Sequence, residues 1–136
     1  MRVFLDANVL FSAGKSDGAV RSLLARLKSS GHVLVADGYV EGEARRNLEA
    51  KFPASMEDFE ALLKQVEFSP GVSEPLRADL ALELPEKDRP VLAAAINHRC
   101  QILLTSDNTH FGPLYERTIE GVEIHSPASL ATQLEA

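Results

Sequence analysis

Val3-Phe4-Leu5-Asp6-Ala7-Asn8 opens the chain with three apolar residues that stop on an acid and an amide. Such a run reads as a short buried strand ending in polar groups. A second run of the same kind, Ile102-Leu103-Leu104, stops on Thr105, Ser106 and Asp107. Between them Val33-Leu34-Val35 makes another strand, and Val122 to Ile124 a further one. Helical patterns separate the strands. Val20, Leu23, Leu24 and Leu27 recur at i, i+3, i+4 and i+7 before Gly31 ends the stripe. Asp37 is a predicted N-cap for a helix through Val40, Ala44 and Leu48, closed by Pro53. Met56, Phe59, Leu62, Leu63 and Val66 predict a third helix, with Ser55 at its start and the Pro70-Gly71 turn beyond it.

Leu76, Leu80 and Leu84 suggest a shorter amphipathic segment before Pro85. Val91 to Ile96 follow Asp88 and Pro90 as a helix with a face of small residues, and Ser126 to Leu134 predict a last helix. The stretch after Asn8, including Gly14 to Gly18, reads as a turn and a loop. Short apolar strands alternating with amphipathic helices give the α/β class, with a parallel sheet covered on both faces. Ligands of such sheets gather at the carboxyl ends of the strands.

The chain of 136 residues carries 14 Lys and Arg against 20 Asp and Glu, a formal charge of −6. Its length and 45% hydrophobic content suit one domain over residues 1–136 with a real core and no need of disulfides. Cys100 is the lone cysteine, which excludes an internal disulfide and fits a reducing cytoplasm. The longest apolar run, Val91 to Ile96, is far short of the ~20 residues a membrane span requires. Nothing at the start has the form of a signal peptide, so a cytoplasmic protein without membrane attachment is expected. Net acidity disfavours broad adhesion to nucleic acid, yet it permits a basic rim around an acidic, cation-filled pocket.

Four acids fall where such a pocket would form. Asp6 and Asp107 follow strands of one parallel sheet, while Asp88 and either Glu41 or Glu43 lie near the starts of helices on the same rim. Like charges in close quarters oppose joint ionisation unless a divalent cation neutralises them, and oxygen ligands point to Mg2+ or Mn2+. A cation so held suits phosphodiester hydrolysis, which needs no protein nucleophile. Histidines at 32, 98, 110 and 125 show no metal-ligand spacing along the chain. Each acid also has a plainer role as a turn former, N-cap or solvated helix residue; their joint placement favours the site.

Four segments then resemble the motifs of the PIN-domain family, in order and across nearly the whole chain. Leu5-Asp6-Ala7-Asn8-Val9-Leu10 resembles the first. Val40-Glu41-Gly42-Glu43-Ala44-Arg45-Arg46-Asn47-Leu48 resembles the second and selects Glu43 over Glu41. Lys87-Asp88-Arg89-Pro90-Val91-Leu92-Ala93-Ala94-Ala95 resembles the third, and Leu104-Thr105-Ser106-Asp107-Asn108 with His110-Phe111 the fourth. In that last motif many members carry an Asn and a later Asp before Phe, whereas here Asp107 sits in the triplet and His110 precedes Phe111.

The resemblance implies a three-layer α/β/α fold with a mainly parallel sheet. It further implies a Mg2+ or Mn2+ site of Asp6, Glu43, Asp88 and Asp107, with Asp107 bound directly or through water, and ribonuclease activity on single-stranded or structured RNA. Asn8 and Thr105 would be neutral supporting residues, and Arg45, Arg46, Lys51 and Arg89 could touch phosphates. Many bacterial members resemble VapC toxins, which form homodimers and are silenced by a small DNA-binding antitoxin. Two alternatives stand beside this reading. One is a non-catalytic module of the same shape binding RNA or protein. The other is a haloacid-dehalogenase-type phosphatase, for which Asn8 occupies the place of a required second Asp.

Overall fold

A computed structural model of the chain describes residues 1–69 and 84–135. Six strands form one sheet: β1 (Arg2–Leu5), β2 (Val33–Asp37), β3 (Glu67–Ser69), β4 (Ile102–Leu104), β5 (Thr118–Ile119) and β6 (Val122–His125). Their order across the sheet is β3-β2-β1-β4-β6-β5, with every pair parallel except β5 and β6. The helices are α1 (Ala7–Lys15), α2 (Ala19–Ser29), α3 (Gly38–Lys51), α4 (Met56–Leu63), α5 (Arg89–Asn97) and α6 (Pro127–Glu135).

The chain steps outward from β1 through β2 to β3, then returns past β1 to lay down β4 and β6. Right-handed crossovers carry the helices of the two halves to opposite faces, giving three layers with the apolar strands between them. Val3, Phe4, Leu5, Leu103 and Leu104 are completely buried. The reversal of strand order leaves a topological switch point between β1 and β4, where the register pairs Leu5 with Leu104. Asp6 therefore emerges beside Thr105, and its backbone N–H donates to the Leu104 carbonyl at 3.0 Å.

The expected strands and most expected helices are present, and Asp37 caps α3 by accepting from the Val40 N–H at 3.1 Å. Helix α1 departs from the expected turn and loop. Asp6 caps it by accepting from the Ala7 N–H at 2.7 Å, and Val9, Leu10 and Ala13 are its core face. Gly14, which reads in the sequence as a loop residue, is instead a packing residue. A Cβ there would lie 3.0 Å from Phe59 and 3.1 Å from Leu48, so its hydrogen lets α1 settle closely on α3 and α4.

Strands β3 and β5 were not anticipated, because three and two partly polar residues carry too little pattern. The β5–β6 hairpin turns at Glu120 and Gly121, both at positive φ (50° and 82°), the signature of a tight type I′ turn. Ser55 does not cap α4; its hydroxyl donates to the Lys15 carbonyl instead. Leu76, Leu80 and the Pro70-Gly71 turn lie outside the described residues. No helix among the described residues is long and apolar enough to cross a membrane.

Candidate active site at the switch point

Asp6 is 5% exposed at the carboxyl end of β1. Its Oδ1 accepts from the Ala7 N–H, and its Oδ2 accepts from the Thr105 hydroxyl at 2.8 Å. Thr105 Oγ1 accepts in turn from the Asp107 N–H at 3.2 Å and from Asn8 Nδ2 at 3.3 Å. Asn8 Nδ2 also lies 3.4 Å from Asp6 Oδ2, and its Oδ1 accepts from the Ser106 N–H at 2.8 Å. The two strand ends are thereby sewn together. Burial nevertheless dominates, lifting the Asp6 pKa to about 6 against the opposing hydrogen bonds, with the charges of Asp88 and Glu43 adding to the rise.

Asp88 closes a short 3₁₀ turn, Glu86–Asp88, that leads into α5. Its side chain does not cap that helix, so the plain N-cap role does not hold here. The carboxylate is turned instead toward Asp107 and His110. Nδ1 of His110 stands 2.7 Å from Asp88 Oδ2 and 2.9 Å from Asp107 Oδ2. Neither Asp88 Oδ2 nor His110 Nδ1, both buried, is aligned for a hydrogen bond with any partner. Burial raises the Asp88 pKa; the nearby His110 pulls it down and Asp107 pushes it up. Asp107 Oδ1 accepts from the His110 N–H at 3.0 Å, which folds the loop back and delivers the imidazole to the site.

One ligand atom each from Asp88, Asp107 and His110 falls within 4.8 Å of the others. This convergence of two carboxylates and an imidazole, with buried polar atoms left unbonded, fits a divalent cation. Asp6 and Glu43 stand outside the tight group, although Asp6 feels the charges of both Asp88 and Glu43. Glu43 is exposed in the second turn of α3. Glu41, the other candidate at that position, is bound to Arg45 at 2.7 Å.

Reading spacing along the chain missed His110. Its co-ligand Asp88 lies on another element, so only the i,i+3 relation to Asp107 was visible. Tyr39 is a second unforeseen neighbour. It is 46% exposed, donates its hydroxyl to the Lys87 carbonyl at 2.7 Å, and thereby ties the start of α3 to the turn bearing Asp88. Burial raises its pKa, aided by Glu43, Asp88, Asp6 and Asp37, a sign that it stands among the acids.

Among the cations, Arg45 is engaged by both Glu41 and Glu60 and lies over the Phe59 ring at 5.3 Å. Arg46 is exposed, and Arg89 donates Nε to the Leu84 carbonyl at 3.0 Å.

Sequence comparison with family models and with curated proteins finds no match. Solved structures do match in shape. VapBC2 from Rickettsia felis, bound to a DNA fragment from their promoter, superposes with a TM-score of 0.63 at 13% identity, covering 93% of this chain and 98% of that one. VapBC-1 from nontypeable Haemophilus influenzae gives 0.60 at 14% identity, over 94% and 99%. The Sarcin-Ricin loop cleaving toxin VapC20 of Mycobacterium tuberculosis gives 0.54 at 17% identity, over 87% and 97%. The fold is that of a VapC-like PIN domain. At these identities the likeness speaks for the PIN architecture, and the chemistry rests on this chain's own residues.

Proposed function

We propose that this PIN domain, over residues 1–136, is a divalent-metal-dependent ribonuclease that hydrolyses phosphodiester bonds of single-stranded or structured RNA. The observation that carries the reading is the unsatisfied pair Asp88 Oδ2 and His110 Nδ1, converging with Asp107. Asp88, Asp107 and His110 would hold the cation, with Asp6 and Glu43 adding negative charge beside it. A bound Mg2+ or Mn2+ polarises a phosphoryl oxygen and lowers the pKa of water at the site.

The chain's own groups supply orientation. Thr105 and Asn8 hold the Asp6 carboxyl at a fixed angle beside the cluster. Arg46 and Arg89 are the candidate phosphate contacts, since Arg45 is already paired. The structural neighbours, two VapBC assemblies and an RNA-cleaving toxin, support a toxin half that pairs with a small DNA-binding antitoxin. A homodimer and a cytoplasmic location belong to the same proposal.

The test is cleavage of a labelled single-stranded RNA in Mn2+, abolished by EDTA and by Asp6→Asn. Robust cleavage by folded Asp6→Asn protein in EDTA would overturn the mechanism. For the toxin role, expression should arrest growth unless the partner is supplied; harmless expression of an active enzyme would refute it.

One observation favours a non-catalytic module instead. His110 Nδ1 stands within ion-pair distance of both Asp88 and Asp107, so the three side chains can hold one another with no metal. Calorimetry separates the two, since the module predicts no Mn2+ binding. The phosphatase alternative is disfavoured because Asp6 is buried with both oxygens engaged, and so is not presented as a nucleophile.

A further inference from the structure

Helices α1 and α3 both begin at the acidic site and pack side by side as they run away from it. Asn8, Phe11 and Lys15 share one face of α1, at i, i+3 and i+7, and none of them is buried. Glu43, Asn47 and Lys51 share the exposed face of α3, at i, i+4 and i+8. The two faces meet at the far end of the helices. There Phe52, 42% exposed, sets its ring 5.8 Å from that of Phe11. Lys15 Nζ lies 5.5 Å from the Phe11 ring centre and 5.8 Å from that of Phe52, and Lys51 Nζ lies 5.9 Å from Phe11.

Neither lysine forms an ion pair among the described residues, so two positive charges stand free over two rings in a protein of net charge −6. The Phe52 backbone is held by its N–H on the Leu48 carbonyl at 2.7 Å, which fixes the ring's base. Exposed cation–π contacts are weak, so each ammonium can turn to a phosphate while the rings accept bases.

We propose that Phe11 and Phe52, flanked by Lys15 and Lys51, form a second binding site for single-stranded RNA, taking bases about three nucleotides along the strand from the phosphate held at the acidic cluster. The helical spacing from Asn8 to Lys15 or from Glu43 to Lys51 is about 10–12 Å, the length of about three stacked bases. The inference rests on the ribonuclease reading and extends it to the path of the substrate. Charge decides against a partner protein's apolar helix, for which two unpaired ammonium groups would be a cost, and in favour of a polyanion with flat faces.

The test measures anisotropy of a fluorescein-labelled 12-residue oligouridylate with the full chain in EDTA, where no turnover intrudes. Phe52→Ala should weaken binding about tenfold, and Phe52→Trp should restore it. The Lys15→Ala/Lys51→Ala double variant should lower the slope of log affinity against log salt by about 1.4. Cleavage of a trinucleotide in Mn2+, too short to reach the patch, should be unchanged in every variant.

Wild-type affinity and salt slope in all variants would overturn the inference and leave the patch to a protein partner. Absence of any 12-mer binding by the wild type would overturn it equally. Failure of the wild type to cut either RNA, with patch-dependent binding intact, would instead strike the ribonuclease reading alone.

Discussion

The two halves of the site are built on opposite terms. Around Asp6 every polar atom is answered: Ala7, Thr105 and Asn8 satisfy the carboxyl, and Ser106 and Asp107 close the network. Joined to that network through the Asp107 N–H, Asp88, Asp107 and His110 crowd their ligand atoms together and leave two of them without a hydrogen bond. The first half is satisfied by folding alone, and the second keeps hydrogen-bonding capacity unmet. Satisfied polar networks hold a shape, whereas unsatisfied ones store a demand that a ligand can meet. A rigid wall beside converging ligand atoms suits the positioning of an incoming group without reorganisation.

The sharpest way to break this contrast is Asp88→Asn. It should cut Mn2+-dependent cleavage by at least about a hundredfold, yet change unfolding stability in EDTA by no more than about 1 kcal/mol, since it removes a buried charge. Urea denaturation beside a cleavage assay reads both; a large stability loss would show that the cluster is structural.

Next comes the pH dependence of Asp6. Its pKa rises from 3.8 to about 6 on folding, so the native state binds its proton more tightly than the unfolded chain does. This contribution to stability is present in full below pH 4, is lost as pH rises through about 6, and amounts to about 3 kcal/mol. Asp6→Asn should abolish that slope. Comparing wild type and variant at pH 4.5, 5.5 and 7 in EDTA, with identical slopes as the contrary result, checks it.

Thr105→Val should act in the reverse sense to Asp88→Asn. Stability should fall by about 1–3 kcal/mol, because Asp6 Oδ2 loses its donor and the Asn8 amide and Asp107 N–H lose an acceptor. Thermal unfolding measures it. The smallest effect belongs to Glu41→Gln, whose partly exposed pair with Arg45 is worth less than about 1 kcal/mol, with cleavage unchanged. Glu43→Gln should lower cleavage, and equal activity of the two variants would erase the distinction between these neighbours.

Much of the fold was legible because apolar runs and helical stripes report burial directly. Leu5 to Asp6 and Leu104 to Asp107 carried the decisive information, since a run that stops on acids marks a strand end facing a ligand. Helix α1 escaped notice because Asn8 and Gly14 look like turn residues locally. Their helical state is decided by the Asp6 cap and by Phe59 and Leu48 pressing on Gly14. His110 escaped for a related reason, its partner Asp88 being 22 positions back along the chain.

By itself the sequence determined the α/β alternation and the acids at strand and helix ends, because these are properties of short segments. Only the tertiary structure decided which acids share a cation-sized space, which arginine is already paired, and that two lysines stand over two rings. Those facts depend on distances between elements, and strand order and helix packing set such distances, not residue type.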